Sequence, residues 1–156
     1  MDVIVEEADL TDARQASAVV EIIDSYARGP GGQNAALTDF AREKLIAGLL
    51  DHPLAIVLLA SVAARPVGIA VCVFGFSTFA GKPTLNVHDL AVLPDLQGQG
   101  VGHALLAEVE RRARERGCSK ISLEVLDTND GAKRLYAQTG FGPWDSPTFF
   151  VTKPLS

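Results

Sequence analysis

The stretch "TLNVHDLAVLPDLQGQGVGHALLAEVERRARERGCSKISLEV", Thr84 to Val125, constrains the fold of this chain more than any other. It begins as a β-prone apolar run, Thr84 to Val92, and passes through three glycines at alternate positions, Gly98, Gly100 and Gly102. Val101, Leu105, Val109 and Ala113 then recur every four residues, with Glu108/Arg112 and Glu110/Arg114 spaced to pair on the wet side. That pattern predicts a helix from Gly100 to Gly117, ended by Gly117, and "KISLEV", Lys120 to Val125, predicts the next strand. A strand, a helix and a strand joined in this way form a crossover whose two strands run parallel.

The rest of the chain predicts elements that pack around this unit. Val3 to Glu6 reads as a strand, and Thr11 as the cap of a helix carrying Ala16, Val19, Val20, Ile23 and Ala27 on one face. Thr38 caps a second helix with Ala41, Leu45, Ile46, Leu49 and Leu50. "LAIVLLASV" and "VGIAVCVFGF" flank the turn "AARP" as an antiparallel hairpin. In the Thr84 strand, strict alternation puts Leu85, Val87, Asp89 and Ala91 on one face and Asn86, His88, Leu90 and Val92 on the other. Asn129 or Asp130 caps a helix through Leu135 and Tyr136, Gly140 ends it, and "TFFVT" is a last strand. The expected fold class is therefore α/β (α+β): a mixed, mostly antiparallel sheet with a central parallel βαβ unit, flanked by helices, in a single domain over residues 1–156.

Charge and composition narrow the partners. With 14 basic against 19 acidic residues the chain is net negative, and its one basic run, "ERRARERG", is interleaved with acids, so no nucleic-acid partner is expected. No apolar run approaches a membrane span, and "MDVIVEEADL" is acidic where a signal peptide is basic, so the expectation is a cytoplasmic protein without a membrane partner. Cys72 and Cys118 lack zinc-ligand spacing and read as reduced thiols, and no metal is expected.

A glycine-rich turn at a helix start presents unpaired amides and partial positive charge, which suits a phosphate. The spacing is neither GxxxxGK followed by Ser or Thr nor GxGxxG, so a P-loop and a dinucleotide fold are excluded. "LAVLPDLQGQGVGHALL" instead places Gln97, Gly100 and Gly102 on a Q/R-x-x-G-x-G/A pattern, and "LEVLDTNDGAKRLYAQTGF" follows it as strand, asparagine, helix and L-Y-x-x-x-G-F. In both blocks the sequence resembles the GNAT superfamily of N-acetyltransferases.

That resemblance implies an acyltransferase that moves an acetyl group from acetyl-CoA to a primary amine of a small molecule or peptide, directly, in a ternary complex. It implies a splay between the strands Thr84 to Val92 and Lys120 to Val125, with backbone groups of Leu90, Ala91 and Val92 on the pantetheine and acetyl carbonyl. The segment Gln97, Gly98, Gln99, Gly100, Val101, Gly102 and His103 would hold the pyrophosphate, Asn129 the CoA arm, and Lys133 or Arg134 the adenine-side phosphate. Tyr136 would be the general acid that reprotonates the thiolate. The acceptor walls would come from "SYARGPGGQNAALTDF" and "FGFSTFAGKPTL", and the family's habit of dimerising implies a homodimer, with Trp144, Phe149 and Phe150 either in the interface or in the core.

An alkyl amine is mostly protonated at neutral pH, and deprotonating it costs roughly 4–5 kcal/mol. A base or a water relay is needed, and the candidates are Glu124, His88 and Asp89. Each has a purely structural alternative, as a satisfied strand histidine or a carboxylate accepting backbone hydrogen bonds. The other reading of the whole chain is a catalytically silent acyl-CoA-binding regulatory module.

Overall fold

A computed structural model describes residues 1–145 and 147–156. Five strands lie in one sheet in chain order: β1 (Val3–Glu7), β2 (Ala55–Val62), β3 (Arg65–Ser77), β4 (Lys82–Val92) and β5 (Ile121–Leu123). The first four are antiparallel, and β4 and β5 are parallel, joined by α3 (Val101–Glu115). Helices α1 (Ala13–Arg28) and α2 (Asp39–Leu50) precede β2, and α4 (Asp130–Gln138) follows β5. The mixed sheet with its crossover is the architecture the sequence predicts.

The sheet buries both faces. Val101, Leu105, Val109 and Ala113 of α3 pack on Leu58, Val67, Cys72, Leu85 and Val87, while Val19, Ile22 and Ile23 of α1 pack on Val57, Leu59, Ile69, Val71 and Ala91. The four-residue spacing read in α3 is thus its buried stripe. On its outer face Arg112 bonds Glu108 at 2.8 Å and reaches across to Glu7 at 2.8 Å, clipping the helix to β1.

Several expectations fail for definite reasons. Asp12, not Thr11, caps α1: its carboxylate accepts from the Arg14 amide at 3.2 Å, while the Thr11 hydroxyl donates to Asp9 at 2.6 Å. The predicted strand Lys120 to Val125 keeps only Ile121–Leu123. The "TFFVT" segment has no strand pairing among the described residues, with Phe149 89% and Phe150 70% exposed, and Trp144 is also exposed, so none of the three is core. Ser146, within the "GPWDSPTFF" stretch, lies outside the described residues.

The alternation read along β4 also breaks. Asp89 pairs with Val71 but Val87 pairs with Cys72, leaving His88 as an extra residue. A one-residue bulge switches every later side chain to the opposite face. Leu85 and Val87 therefore share the α3 side with Leu90 and Val92, and Asp89 and Ala91 turn to the α1 side.

Candidate active site

Pairing along β4 is unequal on its two edges. Against β3 it continues to Val92, whereas against β5 it stops at the Val87 and Leu123 pair. Asn86 fastens the last common stretch, donating to the Ser122 hydroxyl at 3.2 Å and to the Ser122 carbonyl at 3.3 Å. Beyond it the edge carrying Asp89, Leu90, Ala91 and Val92 has no strand partner among the described residues, so an extended ligand chain can add there like a further strand.

The chain then turns through Pro94–Leu96, a single 3₁₀ turn, into the glycine segment. The Gln97 side-chain amide donates to the Val92 carbonyl and that of Gln99 to the Asp95 carbonyl, each at 3.1 Å, and Arg65 holds Asp95 at 2.8 Å. Both glutamines thus spend their side-chain donors bracing the turn. Gly98 and Gly100 have φ of 74° and 90°, left-handed backbone that side chains disfavour, and a side-chain carbon at either would meet nothing within 4 Å.

Gly100 caps α3 without a side-chain hydrogen bond, and the helix's own bonding begins with the Ala104 amide on the Gly100 carbonyl at 3.1 Å. The amides of Val101, Gly102 and His103 precede that bond and face outward, with the positive end of the helix behind them. Open space, positive φ and uncapped amides fit a diphosphate. Gly102 has a different reason to be glycine: a side-chain carbon there would lie 2.8 Å from Leu135 Cδ2, so it lets α4 pack closely.

Tyr136, on α4, is 7% exposed and packs edge-on against Phe141 with ring centroids 5.7 Å apart. Burial, then the nearby Tyr26, push its phenol up to about 12. Among the described residues its hydroxyl has no hydrogen-bond partner, unlike Tyr26 of α1, whose hydroxyl donates to the Gly31 carbonyl at 2.9 Å. The Tyr26 phenol is raised by burial and by the charge of Asp89. Asp89 is itself raised by burial and opposed by His88. Tyr26 is thus linked by charge to both of the others, and Asp89 of β4, Tyr26 of α1 and Tyr136 of α4 form a cluster in that electrostatic sense.

Tyr26 is the member that reading the sequence missed. It lies inside "SYARGPGGQNAALTDF", but the apolar face of Ile23 and Ala27 makes it look like packing. The same connection is pinned by buried Asp24, which accepts from the Leu37 amide at 2.9 Å and from Arg28 at 2.8 Å. The Leu37 amide bond and then Arg28 and Arg42 hold that carboxylate below its usual range. Asn129 meets the connection from the other side: its Oδ1 caps α4 by accepting from the Ala132 amide at 3.2 Å, and its Nδ2 would stand 3.3 Å from a side-chain carbon at Gly31.

The remaining candidates lie outside the cluster. Glu124 is exposed, one residue past β5, and no hydrogen bond or ion pair among the described residues ties it to Asp89 or to the tyrosines. His88 is exposed at the bulge. Lys133 pairs with Asp127 at 2.8 Å, so its charge is already partnered, whereas Arg134 is exposed. Among the described residues no group of three or more His, Cys, Asp or Glu side chains converges, and no helix is long and apolar enough to cross a membrane.

Comparison with known proteins bears on this geometry. A thialysine N-epsilon-acetyltransferase of Bos taurus is 36% identical over 74 residues, 47% of this chain and 43% of that protein. A mycothiol acetyltransferase of Nocardiopsis dassonvillei is 36% identical over 71 residues, 46% of this chain and 22% of that protein. The matches thus span less than half of those relatives. A ribosomal-protein-alanine N-acetyltransferase structure from Brucella melitensis shares the fold at 24% identity with a TM-score of 0.75, covering 97% of this chain and 100% of that one. The acetyltransferase (GNAT) family profile matches residues 17–141, most of the chain, from α1 through α4 to Phe141. The chain therefore belongs to the GNAT acetyltransferase family.

Proposed function

We propose that residues 1–156 act as a single N-acetyltransferase domain that moves an acetyl group from acetyl-CoA to a primary amine of a small molecule or peptide, with donor and acceptor bound together. The observation that carries the reading is the unpartnered edge of β4 at Asp89–Val92, which leads directly into the uncapped start of α3. Acetyl-CoA supplies an activated thioester acetyl group. Leu90, Ala91 and Val92 offer backbone groups to its arm and carbonyl, and the turn Gln97–His103 offers amides to its pyrophosphate. Asn129 offers its Nδ2 to the arm, and exposed Arg134 is a better partner for the adenine-side phosphate than Lys133, which Asp127 holds.

Asp89 is the base we favour among Asp89, His88 and Glu124. Burial raises its carboxyl above the ordinary aspartate range, which makes it a stronger base than an exposed aspartate, and it turns to the α1 side where Tyr26 stands. It takes the amine proton directly or through a water. Tyr136 gives its phenolic proton to the departing thiolate; its hydroxyl is free of partners among the described residues, and its raised pKa keeps it protonated until that step. Tyr26 orients the acceptor. A cytoplasmic location and a homodimer belong to the same proposal, the first supported by two unpaired cysteines.

The test is CoA release from acetyl-CoA across a broad amine panel that begins with ε-amines of the kind in the bovine relative's name. We expect release with at least one amine, and an acetylated product. Saturable acetyl-CoA binding with no amine ever acetylated would replace the proposal with the silent acyl-CoA-binding module.

A further inference from the structure

The connection between α1 and α2, residues 29–37, reads "GPGGQNAAL", with three glycines and no charged side chain. Fixing so permissive a stretch costs much conformational freedom, yet this one is folded tightly. It turns back on the end of α1, where the Gln33 and Ala35 amides donate to the Ala27 carbonyl at 2.9 and 3.2 Å. A side-chain carbon at Gly32 would lie 2.8 Å from the Ala27 Cα. Gln33 spends its side-chain amide on the connection itself, donating to the Ala35 and Ala36 carbonyls.

Two side chains of α1 hold the connection near its two ends. Close to the entry the Tyr26 hydroxyl donates to the Gly31 carbonyl at 2.9 Å. At the exit Asp24, the one buried charged residue among those described, accepts from the Leu37 amide at 2.9 Å. Its second oxygen accepts from Arg28 at 2.8 Å and lies 3.6 Å from Arg42, so the first turn of α2 is tied to the same carboxylate. A buried carboxylate is costly unless it is paired and hydrogen-bonded, and this one draws its partners from α1, the connection and α2 at once. Between the anchors, a side-chain carbon at Gly31 would stand 3.4 Å from the Tyr26 ring and 3.3 Å from Asn129 Nδ2. The connection is thus wedged between α1 and α4, and where it sits decides where the Tyr26 hydroxyl is held.

We infer that Asp24 is a positioning residue for the amine acceptor: it fixes the shape of residues 29–37 and, through Gly31, the place of Tyr26. The inference rests on the proposed function, which gives Tyr26 the task of orienting the acceptor. A connection without charged side chains can select an acceptor only through its shape and backbone groups, so holding that shape matters for binding. The donor side is braced independently. Asn129 is fixed by its own cap on α4, and the glycine turn by Arg65 on Asp95. A residue that served the fold alone would act on donor and acceptor equally.

The experiment compares the full chain with Asp24→Ala and Asp24→Asn by amide hydrogen exchange, acetyl-CoA calorimetry, and steady-state kinetics with an amine that the wild type acetylates. In Asp24→Ala the Gln33, Ala35 and Leu37 amides should exchange roughly tenfold faster or more, while the β3 amides keep their rates. The KM for the amine should rise roughly tenfold or more, with kcat and acetyl-CoA affinity each within about threefold of the wild type. Asp24→Asn keeps an oxygen for the Leu37 amide and loses the charge, so it should fall between the two. Should Asp24→Ala not fold, Asp24→Asn carries the same comparison, with changes of about threefold. Faster exchange in β3 as well, equal losses for amine and acetyl-CoA, or an unchanged amine KM in a folded variant would overturn the inference and leave acetyl transfer standing. A wild type that binds acetyl-CoA and acetylates no amine would overturn the proposed function, and the acceptor role of Asp24 with it.

Discussion

The two stretches of β4 on either side of His88 are built alike and used differently. In Leu85–Val87 the strand has a partner on each edge, Leu85 and Val87 are sealed under α3, and Asn86 is tied to Ser122. In Asp89–Val92 one edge is open, and Asp89 is turned to the α1 side. One inserted residue and the early end of β5 make the difference. A single strand can therefore supply stability in its first half and a binding edge in its second.

Four variants, one of them a control, probe that contrast. The largest expected effect is that of Tyr136→Phe, which keeps the buried ring and removes the phenolic proton. It should lower kcat by about 10²–10⁴-fold, with KM for acetyl-CoA little changed, in steady-state assays. Weaker acetyl-CoA binding with kcat preserved would make Tyr136 a packing residue.

Leu85→Ala tests the closed stretch. Leu85 is fully buried, so urea unfolding should show a loss of about 2–5 kcal/mol while the affinity of the remaining folded protein for acetyl-CoA stays the same. Equal damage to affinity would mean that the two halves are not separable.

Asp89→Asn tests the open stretch through pH. Burial raises the folded pKa of Asp89 above the ordinary aspartate value, so the native state holds that proton more tightly than the unfolded chain. The stability this group contributes should therefore be fully present below the unfolded pKa and be lost as pH rises through the folded one, at about 1.4 kcal/mol per pH unit between the two. The variant should lack this decline in denaturant titrations at a series of pH values, matching or exceeding the wild type in stability at neutral pH while losing turnover. A variant less stable at neutral pH would mark Asp89 as a structural acceptor.

The smallest effect is a control away from both stretches. Ala63 and Ala64 turn the β2–β3 hairpin with φ of 48° and 64°, a conformation that favours Asn-Gly. Ala63→Asn with Ala64→Gly should raise stability by about 1 kcal/mol, roughly 2–4 °C in Tm, and leave the rate unchanged.

The crossover was legible because its signals are local and redundant. The period of α3, the glycine that ends it and the β-prone runs beside it all point one way, and the structure buries Val101, Leu105, Val109 and Ala113 as that period requires. The bulge was not legible, since no residue type marks it and it arises from how β3 and β4 register. That one shift reassigned Asp89 to the face on which Tyr26 stands. Tyr26 itself was hidden among helix-packing residues, because its hydrogen bond to Gly31 and the charge of Asp89 that it feels arise only in the folded chain. Of the three glycines read as one cradle, Gly102 also stands against Leu135 of α4, a tertiary neighbour that no glycine spacing reveals.

Whether the open β4 edge and the glycine turn together receive acetyl-CoA is decided by calorimetric titration of acetyl-CoA into the wild type and Gly100→Val. Gly100 has open space around it and φ of 90°, so valine there strains the turn by about 1–2 kcal/mol and places a branched side chain before the uncapped amides, away from the core. Saturable binding of one acetyl-CoA per chain is expected, with at least a hundredfold weaker binding by the variant and its circular dichroism unchanged. No binding by the wild type at millimolar acetyl-CoA, or equal affinity in a folded Gly100→Val, would contradict it.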